Sequence, residues 1–138
     1  MNFLEIYNIF FSDCNIVSSD GKTSQIFEVG TTATLEWNLF NFPNDFEIVH
    51  IVYTKTNKQI KIAGVDIYSK NETQLLDYSQ NSNPFDRNRI KGSLNLVNGN
   101  GTLIFELKNL QYDEDGVFTL KSRIKVKDEF GISVKVQG

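Results

Sequence analysis

At 138 residues, the chain has the length of one domain and can bury a substantial core. Its 40% apolar and 22% charged residues are typical of a folded globular protein, and its net charge of −3 argues against a general nucleic-acid-binding role, which usually requires a basic excess. No apolar run approaches the roughly 20 residues of a membrane-spanning helix, so we expect one globular domain over residues 1–138.

The N-terminal region, residues 1–22, is expected to contain the first strand. Residues 3–11 (FLEIYNIFF) are apolar, but Glu5 and Asn8 interrupt the run and no basic segment precedes it, which favours a strand over a signal peptide. Cys14 is the only cysteine, so an intradomain disulfide is impossible. A lone thiol is typical of a reducing compartment, although an odd cysteine in a secreted protein can pair with another domain.

Short β-type segments recur along the rest of the chain, and no long segment has a helical period. Turn-forming residues separate them, and VNGNGT at 97–102 is the strongest hairpin signal. Residues 68–88 are polar and irregular, with room for a short edge strand around QLLDY. About nine strands without helices predict a β-sandwich or a barrel. The predicted strands are 3–11, 24–29, 33–39, 47–54, 58–64, 89–97, 102–110, 117–126 and 132–137.

Four stretches carry a more specific pattern: VGTTATLEWNL (29–39), RIKGS (89–93), TLIFELKNLQYDEDGVFTL (102–120) and FGISVKVQG (130–138). In this order they resemble strands B, D, E–F and G of a variable-type (V-set) immunoglobulin domain. The resemblance covers roughly residues 23–138. It implies an immunoglobulin-like β-sandwich of two antiparallel sheets and about nine strands, here without the disulfide that normally joins strands B and F.

The resemblance also assigns roles to core residues. Trp37 and Leu120 stand at the two cysteine positions, and Ile51 stands at the position of the family's core tryptophan. Apolar burial of Trp37 against Leu120 is expected to replace the disulfide's contribution of about 2–5 kcal/mol. Phe118 stands at the position of the corner tyrosine and lacks its hydroxyl, so the corner is expected to depend on burial.

The acidic corner DEDG (113–116) is expected to hold an ion pair. Glu114 stands where the family has a buried acid, and Arg89 stands at its usual partner position. We expect the two to pair at the base of the sandwich. The alternative is two solvated charges worth under about 1 kcal/mol.

Catalytic and metal-binding patterns are weak. His50 is the only histidine, lies within a strand, and has no second histidine or cysteine partner in a metal-ligand spacing. DEDG lacks the alternating ligands of a calcium loop, and no serine nucleophile has a recognisable context. We expect a binding domain and neither an enzyme nor a protein that needs a cofactor, a metal or a small-molecule substrate.

Strand alternation predicts which side chains cover the sheet that contains strands C, C′, F and G. This face is expected to be basic, with acidic loop residues beside it, although a solvated strand surface explains the lysines equally well. The predicted binding-face residues are His50, Val52, Thr54, Gln59, Lys61, Lys121, Arg123, Lys125, Lys135, Asp128 and Glu129.

Among disulfide-free variable-type domains, the chain is similar to the cell-surface allorecognition receptors (Alr) of colonial cnidarians, on the basis of the DEDGVFTL corner and the replaced cysteines. This implies an extracellular, membrane-distal domain of a single-pass receptor that binds a matching copy on an opposing cell, with the membrane anchor outside this sequence. A heterophilic module for an acidic protein or glycan and a structural spacer are the alternatives. Asn71 and Asn100 begin sequons that would accept glycans in a secreted protein.

Overall fold

The computed structural model of the chain describes residues 15–42, 48–66, 73–79, 82–122 and 128–138. These residues form an all-β fold of two sheets packed face to face. Two one-turn 3-10 helices, Arg87–Arg89 and Tyr112–Glu114, interrupt the strands. The strands are β1 Asn15–Ser18, β2 Ser24–Glu28, β3 Ala33–Phe40, β4 Ile48–Lys55, β5 Lys58–Asp66, β6 Thr73–Leu75, β7 Asp77–Tyr78, β8 Ile90–Val97, β9 Asn100–Leu107, β10 Gly116–Ser122 and β11 Glu129–Gln137.

The two sheets divide the strands in a fixed order. The five-stranded sheet runs β1-β3-β9-β8-β6, and the six-stranded sheet runs β2-β11-β10-β4-β5-β7. Neighbouring strands are antiparallel except β2 and β11, which pair in parallel from Ser24 and Ser133 to Glu28 and Gln137. The expectation of purely antiparallel sheets is therefore wrong at this edge, because the first segment of the chain crosses to the second sheet between β1 and β2.

Side-chain alternation builds the core between the sheets. Along β3, Leu35, Trp37 and Leu39 are fully buried, while the residues between them face outward. Along β10 of the opposite sheet, Phe118 and Leu120 are buried in the same way. Since successive side chains of a strand point to opposite faces, each sheet contributes one apolar face to a single core.

Two tight hairpins have two-residue turns with positive φ at both central positions, the type I′ geometry that matches the twist of the strands. The predicted VNGNGT hairpin is confirmed, with Asn98 and Gly99 between the paired residues Val97 and Asn100. The second turn joins β4 to β5 through Thr56 (φ 51°) and Asn57 (φ 62°). A β-branched residue is rare in this conformation.

Most predicted strands agree with the structure within two residues in the described parts of the chain. The irregular stretch 68–88 supplies two short strands, β6 and β7, where one was expected. Within the N-terminal region 1–22 the structure adds β1, which was not predicted, while Cys14 and the strand predicted at 3–11 lie outside the described residues. A bulge between β4 and β5 leaves Ile62 unpaired, so that Ile62 and Ala63 both reach the core.

Candidate recognition face

The four predicted core residues lie together between the sheets. Trp37, Ile51 and Leu120 have no exposed surface, and Phe118 is 1% exposed. The indole Nε1 of Trp37 donates a hydrogen bond of 2.9 Å to the carbonyl oxygen of Phe130, which is the residue paired with Leu120 in the opposite sheet. The ring therefore links the two sheets at the level of the Leu120–Phe130 pair.

The predicted ion pair between Arg89 and Glu114 is present, in bidentate form. The two guanidinium–carboxylate contacts measure 2.8 and 2.6 Å. Arg89 also donates to the carbonyl oxygens of Lys108 and Asn109, and Glu114 accepts the backbone N–H of Gln111. Glu114 is only 8% exposed, and its hydrogen bonds raise the pKa of Arg89 above the usual value. The pair therefore fixes the corner before β10 and is more than a solvated surface contact.

The hydroxyl that Phe118 lacks comes from the neighbouring strand. Tyr53 pairs with Phe118 in the sheet, and its hydroxyl donates to the carbonyl oxygen of Asp115 at 2.6 Å. The expectation that this corner depends on burial alone is therefore wrong. Burial, together with the nearby charges of Asp115, Glu114 and Asp113, raises the pKa of Tyr53 to about 12.

A lysine on β4 adds a further bond to the same corner. Lys55 contacts the Asp115 carboxylate at 2.8 Å, and its Nζ also donates to the carbonyl oxygen of Asp113. Gly116, directly after the corner, has φ +152°, and a Cβ there would lie 2.8 Å from the carbonyl oxygen of Thr54. The corner is thus tied to both sheets, a structural role that orients β10.

The outward side of the six-stranded sheet, which we call the six-strand face, contains most of the predicted binding residues. Gln59, Lys61 and Lys135 are exposed there, and His50, Thr54 and Lys121 are half-buried. His50 lies between Gly64 and Lys121 on the neighbouring strands. Strand alternation therefore placed these six side chains on the expected face.

Two predicted face residues are buried. Val52 points outward, beside Thr119, but is only 7% exposed. Asp128 is 8% exposed, and its carbonyl oxygen accepts the backbone N–H of Ser122 at 2.9 Å. The bond places Asp128 at the end of the β10–β11 pair, and the residue is buried there, so it is not the exposed loop charge that was predicted.

The charges of the six-strand face are more mixed than those of the predicted basic stripe, which is Lys121, Arg123 and Lys125 of the expected strand 117–126. Lys121 forms an ion pair of 3.4 Å with Glu129, its cross-strand neighbour. The other two cations of the predicted stripe, Arg123 and Lys125, lie outside the described residues, as does the sequon residue Asn71. Glu129 therefore offsets the one described cation of the stripe.

Sequence reasoning missed two glycines, Gly131 and Gly64, at the centre of the six-strand face. Gly131 lies on β11, paired with Thr119 of β10. A Cβ added to Gly131 would lie 2.9 Å from the hydroxyl oxygen of Thr119 and 3.0 Å from the side chain of Val117. Ser133 and Gly64 are the next outward residues on β11 and β5. At the β2 edge, Ile26 is 60% exposed beside Lys135. The sequence signal that could have identified this site is a glycine inside a strand of alternating residues, because such a glycine often marks a place where another backbone or a ligand approaches the strand closely.

Within the described ranges, no three His, Cys, Asp or Glu side chains are grouped so that they could hold a metal ion. The described helices are too short to cross a membrane. No protein-family model matches the chain. A search of curated proteins found no significant match.

Proposed function

We propose that this chain is a variable-type immunoglobulin-like recognition domain at a cell surface, similar to the allorecognition receptors named above, and that it binds a second copy of itself through the six-strand face. The domain assignment is supported by the Arg89–Glu114 pair at the corner before β10 and by the strand order of both sheets.

The composition of the six-strand face is the observation that carries the self-binding proposal. Its centre combines small outward residues (Gly64, Gly131 and Ser133) with larger ones that are buried or half-buried, such as Val52 and His50, so a second sheet can approach closely there. Its margins carry both charge signs, with exposed Lys61 and Lys135 on one hand and exposed Glu28 and Glu129 on the other. A two-fold contact places one face against its own copy in the opposite direction. A face with both charge signs can then pair each cation with an anion of the partner.

The expected affinity is low. The described central residues offer few large apolar side chains, and anchoring aromatic or arginine side chains dominate tight interfaces. Domains that act in many copies at a cell contact bind at about micromolar affinity or weaker and gain strength from multivalency. Charge complementarity then sets specificity more than affinity.

A pair of matched substitutions tests the proposal. Thr119→Arg places a long cation at the centre of the six-strand face, and Thr34→Arg makes the same change on the outward side of the five-stranded sheet. In sedimentation velocity at high protein concentration, the wild type and Thr34→Arg should self-associate and Thr119→Arg should remain monomeric. Beads coated with the wild-type chain should aggregate, and beads coated with Thr119→Arg should not.

Charge reversal gives a second pair. Lys135→Glu should weaken self-association, whereas Lys91→Glu, on the five-stranded sheet, should not. Association should also fall as salt rises, because exposed charges are screened. A wild type that is monomeric throughout, with beads that never aggregate, would contradict self-binding. Retention of such a monomer on an acidic protein or glycan surface through Lys61 and Lys135 would then support the heterophilic alternative.

A further inference from the structure

The outward side of the five-stranded sheet has an unusual feature at the end that holds the Asn98–Gly99 turn. Asn100 is exposed at the start of β9, and its cross-strand neighbour Val97 is 45% exposed. On the other side, Phe40 continues the β3–β9 register beyond the pair Leu39–Gly101 and is 39% exposed. Asn100 therefore stands between two exposed apolar side chains on one face of the sheet.

Hydrogen bonds hold the Asn100 amide in a defined orientation. Its Oδ1 accepts the backbone N–H of Asn41 at 3.1 Å. Its Nδ2 has only a long contact of 3.4 Å with the carbonyl oxygen of Asn98. The carbonyl end is thus used by the fold, whereas the bond made by the nitrogen end is long and weak, so substitution at Nδ2 costs the fold little.

Hairpin structure accounts for the other residues of this segment but not for the apolar flanks. Gly101 is required because a Cβ there would lie 1.8 Å from the carbonyl oxygen of Asn95. Thr102 donates its hydroxyl to Asn38 at 3.1 Å. Exposed apolar side chains scattered singly need no explanation. Phe40 and Val97 are two of the five large apolar side chains exposed in the described residues, and both lie beside the same asparagine.

We propose that Asn100 carries an N-linked glycan whose first N-acetylglucosamine packs on Phe40 and Val97. Asn-Gly-Thr at 100–102 is an acceptor sequence. The donor is a lipid-pyrophosphate-linked oligosaccharide. The transfer forms a bond between Nδ2 of Asn100 and C1 of the sugar, breaks the C1–oxygen bond of the donor, and releases the lipid pyrophosphate and one amide proton.

The position of this glycan fits the recognition proposal. The C–H faces of a pyranose ring are apolar and pack well against an aromatic ring, so the sugar removes exposed apolar surface from water. The glycan would cover the outward side of the five-stranded sheet and leave the six-strand face free. The inference rests on the proposed function in one respect, because only a chain that enters the secretory pathway meets the donor.

Secretion of the chain from a eukaryotic cell behind a cleavable leader tests the modification directly. Peptide mass spectrometry should find a glycan on Asn100 in the wild type and in Thr102→Ser, which keeps the acceptor hydroxyl. The glycan should be lost in Thr102→Val and in Asn100→Gln. A secreted, folded wild type with a bare Asn100 would overturn the proposal. Occupancy is read without any self-binding assay, so a failure of bead aggregation would leave this result unaffected.

Packing of the sugar is tested by trimming. The wild-type glycan cut back to its first sugar should give a higher melting temperature than the same chain with the glycan removed. In Phe40→Ser and Val97→Ser, most of this difference should disappear. An equal difference in the wild type and in both variants would show that the sugar does not rest on these side chains.

Discussion

Substitution of Trp37 is the most direct test of how this sandwich holds together without a disulfide. A buried aromatic side chain removes about 150–250 Å² from water, which at about 25 cal/mol per Å² corresponds to about 4–6 kcal/mol. Trp37 has no exposed surface, and the alanine methyl group would bury only a small part of the area that the indole ring buries. Trp37→Ala should therefore reduce the free energy of unfolding by about 3–5 kcal/mol, the usual range for such a truncation.

A second variant separates the ring from its hydrogen bond. Trp37→Phe keeps most of the apolar volume but leaves the carbonyl oxygen of Phe130 without the indole donor. Loss of a buried partner costs about 1–3 kcal/mol. The free energy of unfolding of Trp37→Phe should thus lie between those of Trp37→Ala and the wild type.

Urea unfolding followed by circular dichroism is the appropriate assay, because Trp37 is the only tryptophan and its replacement removes the fluorescence signal. Total stabilities of single domains are about 5–15 kcal/mol, so a loss of about 3–5 kcal/mol should be a large fraction of the total and should move the urea midpoint of Trp37→Ala well below that of the wild type. If Trp37→Ala cost under about 1 kcal/mol, or if both variants cost the same, apolar burial at this position would not replace the disulfide.

The remaining predictions concern the corner before β10 and the β4–β5 turn. The pKa of Tyr53 is raised to about 12, above its unfolded value of 10.0, so its stabilising contribution is complete below pH 10 and is lost as pH rises from 10 to 12. Tyr53→Phe should cost about 1–2 kcal/mol near neutral pH and should lose less stability than the wild type over that alkaline range, measured by urea unfolding at each pH. Gly116→Ala should cost about 1–3 kcal/mol, because the added Cβ meets the carbonyl oxygen of Thr54 and the backbone is in a conformation that favours glycine, and an unchanged urea midpoint would contradict this. Thr56→Asn should stabilise the protein by about 0.5–1 kcal/mol, since Asn tolerates φ 51° better than a β-branched residue; a lower urea midpoint would refute the strain at this turn.

Local patterns predicted the parts of the fold that depend on local chemistry. Alternating apolar residues located β3, β9 and β10, because a half-buried strand has period two. The Asn98–Gly99 turn was predictable since both residues tolerate positive φ. The ion pair of Arg89 with Glu114 was predictable from the resemblance, as both residues stand in recognisable stretches.

Features that depend on distant residues were not predictable. The hydroxyl of Tyr53 binds a carbonyl 62 positions later, and no spacing rule connects them. Alternation gave the correct direction for Val52 but not its burial, which depends on the length of neighbouring side chains. Asp128 was expected to be exposed because a loop position is usually polar and solvated, whereas its backbone bond to Ser122 places it at the end of the β10–β11 pair, where it is buried. β1 has four residues and too short an alternation to be detected.

The parallel pairing of β2 with β11 determines how the domain would respond to mechanical tension. Five residue pairs, from Ser24 and Ser133 to Glu28 and Gln137, join the two strands, and both strands run toward the corner before β10. Tension on the chain ahead of β2 and beyond β11 would pull these strands in opposite directions along their length. All the hydrogen bonds between them would then bear the load together and would have to break at nearly the same extension. A pair of strands peeled apart from one end would instead lose its bonds one at a time and yield at a lower force.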